Sequence, residues 1–93
     1  MTQSGSRGNF TITVQQVRAA RGLLGWSQTE LARRAGLSRE TVKRFEAPTD
    51  LNVSSDARAK LQQALENGGV EFIQGNGGGP GVRLKKWRPK SSR

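Results

Sequence analysis

The densest set of chemically capable side chains follows Gly36, where Leu37-Ser38-Arg39-Glu40-Thr41-Val42-Lys43-Arg44-Phe45 puts three cations and one carboxylate within six positions. An arginine fork donates two parallel hydrogen bonds to paired acceptors, a lysine donates as a point charge, and a carboxylate accepts from an amino group. This is the chemistry of recognition, not of bond-breaking. The chain has no cysteine and no histidine, which removes thiol nucleophiles, disulfides, the usual zinc sites and any Ser-His-Asp or Cys-His arrangement. No acid pair, nucleophile–base pair or metal cluster occurs either. No catalytic residue, cofactor or metal site is therefore expected.

Those side chains need elements to position them. Thr13 can cap a first helix in which Val14, Val17, Ala20 and Leu24 recur at helical spacing, with Gly25 as terminator. Ser27-Gln28-Thr29-Glu30 has the form of a capping box, in which hydroxyl and carboxylate each satisfy an orphan backbone N–H. A second helix from there carries Leu31, Ala32 and Ala35 on one side and stops at Gly36. Ser38 caps a third helix over 39–47, whose apolar positions are Val42 and Phe45; Pro48 forces Ala47 out of helical geometry.

Two short helices joined by a three-residue turn cross steeply and expose the outer face of the second. Held on Leu31, Ala35, Leu37, Val42 and Phe45, a third helix presenting Arg39, Glu40, Lys43 and Arg44 has the shape and charge to enter a DNA major groove. A loop from Pro48 to Val53 leads to a fourth helix, capped by Ser54 or Ser55, with Ala57, Leu61, Ala64 and Leu65 on its apolar side. The period then changes from 3.6 to 2. Val70 and Phe72 alternate with Glu71, and Val82 and Leu84 alternate with Arg83 and Lys85, which predicts a β-hairpin. Its loop, 75–81, lacks the Gly-Lys-Ser/Thr and following helix of a phosphate-binding loop.

Over roughly 14–65 the sequence resembles the Cro/repressor-type (XRE-type) helix-turn-helix regulators of bacteria and phages. Gln28, Leu31-Ala32, Ala35-Gly36, Leu37-Ser38, Val42, Phe45 and Glu46 keep that family's spacing. The resemblance implies a mostly helical, lambda-repressor-like four-helix domain over 11–69, followed here by a hairpin over 70–87 as a candidate dimerisation element. Segments 1–10 and 88–93 are expected to be flexible, the latter basic. The resemblance also implies that Arg39, Glu40 and Lys43 face base edges, that Gln28 contacts the DNA backbone, and that Arg21 and Glu46 form a structural ion pair. From their own positions beside these residues, Thr41 is expected at a base edge and Ser38, Arg44 and Arg18 at the DNA backbone. Family members often have a fifth helix where this chain has the hairpin pattern, so their dimer contact does not transfer.

Each site has a bland alternative. Arg39 can fork onto guanine O6 and N7, and a cation in the first helical turn is locally unfavourable without a partner. Glu40 can accept from cytosine N4 or pair with Arg44 at i,i+4. Arg33 and Arg34 read as a solvated face paired with Glu30, and Trp26 as an apolar plug. Trp87 fits either nucleic-acid stacking or a cap on the hairpin.

With 16 Lys+Arg against 7 Asp+Glu the net charge is +9, and it is blocked. Residues 82–93 hold six cations and no acid, which favours a polyanion partner. The first ten residues lack the apolar core of a secretory signal, and nothing approaches a membrane span. The expectation is a cytoplasmic, single-domain regulator of transcription, such as a repressor, binding double-stranded DNA as a homodimer, with RNA polymerase or a protein antagonist as further partners. The alternative is an antitoxin or anti-repressor module whose C-terminal segment binds a protein.

Overall fold

A computed structural model describes residues 12–47, 53–75 and 77–86. The expected 48–52 part of the loop, Trp87 and both tails lie outside the described residues. Among the described residues four helices come first: α1 (Val14–Leu24), α2 (Gln28–Ala35), α3 (Arg39–Glu46) and α4 (Ser55–Gly68). Strands β1 (Val70–Ile73) and β2 (Gly81–Leu84) follow as an antiparallel pair, with Val70 opposite Leu84 and Ile73 opposite Gly81.

The helix ends follow from side chains. Thr13 Oγ1 accepts from Gln16 N at 3.0 Å and Gln16 Oε1 accepts from Thr13 N at 2.9 Å, a complete capping box. At α2 the expected box is half formed. Ser27 Oγ accepts from Glu30 N at 3.0 Å, but the Glu30 carboxylate turns away to Arg33 and Arg34, whose charge outcompetes a neutral N–H. Gly25 and Gly36 close α1 and α2 at φ 72° and 70°, a region costly for any residue with a Cβ. Ala47 is extended at φ −68°, ψ 147°, so α3 ends one residue before the expected boundary, as a following proline requires.

Val17, Ala20, Leu31, Val42, Leu61, Leu65 and Val70 are fully buried, and Ile12 and Phe45 nearly so. The hairpin belongs to this core, with Phe72, Val82 and Leu84 packed against it. Buried Gln16 ties it down: Nε2 donates to Ile73 O at 3.1 Å and to Gly81 O at 2.8 Å. At the other end of α1, Trp26 lies so close to Gly68 that a methyl there would sit 2.5 Å from its Cη2. These contacts fix α1 against α4 and the hairpin, leaving α2 and α3 to carry the remaining surface.

Candidate nucleic-acid interface

α3 rests on α2 through Leu31, Val42 and Phe45, all buried, with Ala35 and Leu37 partly so. Its other side is exposed at Arg39, Glu40, Lys43 and Arg44. Among the described residues, none of these four side chains makes a hydrogen bond or ion pair. Four charges thus stand on a rigid base, available to a ligand. Thr41 is half-buried, and its hydroxyl lies 3.0 Å from that of Ser38, which also accepts from Thr41 N at 3.1 Å. These two hydroxyls build the start of the helix, and any outside contact has to share them with the cap.

Arg21 reaches from α1 to the end of α3. Its Nε donates to Glu46 Oε2 at 2.8 Å, its Nη2 to Oε1 at 2.7 Å, and its Nη1 to Trp26 O at 3.1 Å. Glu46 keeps only 6% of its surface exposed. The hydrogen bond to Glu46 holds the Arg21 guanidinium above its ordinary value, outweighing the opposing effect of burial. Gln28 Nε2 donates to the same carboxylate at 3.0 Å. This bond joins the first residue of α2 to the last of α3, across eighteen positions of sequence, and no local pattern announced it.

Arg18, Arg21, Gln28, Lys43, Glu46 and Ala47 line an open groove of about 420 Å³. Three residues expected at DNA, Arg18, Gln28 and Lys43, therefore meet in one place. Arg39, Glu40 and Arg44 lie on the exposed face of α3 outside that lining. Arg33 and Arg34 are occupied elsewhere. Arg33 Nη2 binds Glu30 Oε2 at 2.7 Å, Arg34 Nε binds the same oxygen, and Arg34 also stacks over Trp26 at 4.5 Å. Hydrogen bonds from Arg33 and then Arg34 hold the Glu30 carboxyl below the usual carboxylate range. The stacking of Arg34 on Trp26 was not foreseen from sequence, since the two are eight positions apart with Ser27 to Arg33 between them.

Among the described residues no group of His, Cys, Asp or Glu has the placement to hold a metal ion, and no helix is long and apolar enough to cross a membrane. A search of curated proteins finds no significant match. The helix-turn-helix family model matches residues 17–47, a span that begins inside α1, runs through α2 and α3 and ends at Ala47. Capped α2, the turn at Gly36, the buried base beneath α3 and the Arg21–Glu46 tie all fall within it. Over this segment, a third of the chain, the sequence is similar to helix-turn-helix proteins.

Proposed function

We propose that this protein is a sequence-specific transcriptional regulator that binds a two-fold operator as a homodimer, with α3 in the major groove. The observation that carries this reading is the exposed face of α3, whose Arg39, Glu40, Lys43 and Arg44 are unpartnered among the described residues on a buried apolar base. Arg39, at the first position of α3, forks onto a guanine edge. Arg18 and Gln28 hold a phosphate at the mouth of the groove, Lys43 reaches a base edge beside it, and Arg44 and the cap hydroxyl of Ser38 hold the backbone further along. Thr41 touches a thymine methyl or a phosphate beyond it.

For Gln28 to donate to a phosphate, its amide has to leave Glu46 or share the bond. Arg21 keeps that carboxylate neutralised throughout. Dimerisation is assigned to the hairpin, because a two-stranded sheet has open edges and Ile73 is 38% exposed on it. Control of transcription follows from occlusion or recruitment of RNA polymerase.

A competition titration tests the reading. Specific operator binding should survive excess random duplex, and footprints should show two half-sites about 34 Å apart. Arg39→Ala should lower operator discrimination by about 5- to 100-fold with no change in thermal midpoint. Binding that vanishes equally under random competitor would contradict it.

A further inference from the structure

The four exposed charges of α3 are not equivalent in angle. At about 100° per residue, the buried positions Val42, Phe45 and Glu46 define one side of the helix, and Glu40 falls within roughly 15° of the line opposite. The residue that would enter a groove deepest is thus a carboxylate. Lys43 and Arg44 flank it at i+3 and i+4, and Arg39 lies to one side.

A carboxylate in that position repels phosphates, so its presence needs an explanation. The helix dipole favours an acid in the first turn, and the spacing permits pairing with Lys43 or Arg44. α2 shows that alternative realised in the same molecule. Glu30 has arginines at the same offsets, Arg33 and Arg34, and binds both. Glu40, with cations at i+3 and i+4, binds neither and has no other partner among the described residues.

The major groove offers two kinds of amino donor, cytosine N4 and adenine N6. Adenine carries the acceptor N7 beside N6 and repels the second carboxylate oxygen; cytosine has no acceptor beside N4 on its own major-groove edge. We propose that Glu40 is a specificity-determining residue that selects a cytosine at the centre of each half-site and excludes bases that present acceptors there. Lys43 and Arg44 then take guanine acceptors or phosphates on either side. Exclusion matters as much as attraction, because every wrong base leaves a desolvated carboxylate unpaired. This assignment rests on the reading of α3 as the major-groove helix.

Selection of the full-length protein on randomised duplexes tests it, with Glu40→Gln and Glu40→Ala alongside and thermal midpoints measured for all three. The wild type should enrich a half-site with one invariant cytosine. Glu40→Gln should move that position to adenine, since a carboxamide matches N6 and N7. Glu40→Ala should lose preference there, by about 5- to 100-fold, while gaining affinity for random duplex. A purely structural Glu40 would change the midpoint and leave the enriched sequence alone. One motif shared by the wild type and both variants overturns the role of Glu40 and leaves the regulator reading standing. The absence of any enriched motif in the wild type overturns both.

Discussion

Glu46 brings three elements into register through two oxygens. Oε2 accepts from Arg21 Nε, and Oε1 accepts from Arg21 Nη2 and from Gln28 Nε2, so α1, α2 and α3 meet on one carboxylate. The side chains of Arg21 and Glu46 keep 21% and 4% of their surface, which makes this a partly buried pair whose rupture costs far more than that of a surface bridge. Glu46→Ala strands the Arg21 guanidinium and leaves the Gln28 amide without its acceptor. It should lower unfolding stability by about 2 to 4 kcal/mol, measured by denaturant titration. Arg21→Met together with Glu46→Leu should recover much of that loss, because the desolvation penalty disappears with both charges. If the single variant proved as stable as the wild type, the network would be ornamental. Arg21 and Glu46 were legible as a pair only through family resemblance. Gln28 was read as a clamp on the DNA backbone, because nothing in its neighbourhood of sequence points to Glu46.

At the scale of elements, each of the four described helices has a hydroxyl-bearing cap, and α1 and α2 end on a left-handed glycine. Their placement from sequence was therefore accurate to about a residue. The hairpin was legible too, through the period-2 alternation of Val70, Phe72, Val82 and Leu84. What sequence could not convey was its attachment. It was expected as a hairpin following the helical domain, whereas the inward side chains complete the core and Gln16 bridges the ends of both strands. A glutamine in the first turn of a helix suggests a solvated side chain. Its burial depends on the distant hairpin closing over it, which is a non-local fact. Replacing Gln16 with leucine should remove the side-chain donor to the carbonyls of Ile73 and Gly81. That should cost about 1 to 3 kcal/mol and accelerate amide exchange in the hairpin more than in α2 or α3. Uniform acceleration across all six elements would show instead that the hairpin does not open separately.

For the whole molecule, packing and the face proposed for recognition occupy different sides. α1, α4 and the hairpin surround the core and lock onto one another through Gln16 and the close approach of Trp26 to Gly68. α2 and α3 complete the core with one side and present charge with the other. Nothing in that arrangement requires the outer face of α3 to rearrange before a duplex arrives, so rigid-body docking is the expectation. Titrating a 15N-labelled sample with operator duplex and following backbone amide shifts tests this most directly. The account predicts that the largest shifts fall on Gln28 and on Ser38 to Arg44, with Arg18 following, and that β1 and the core of α4 stay nearly still. Shifts concentrated on Gly81 to Lys86, with α3 unperturbed at saturation, would contradict it.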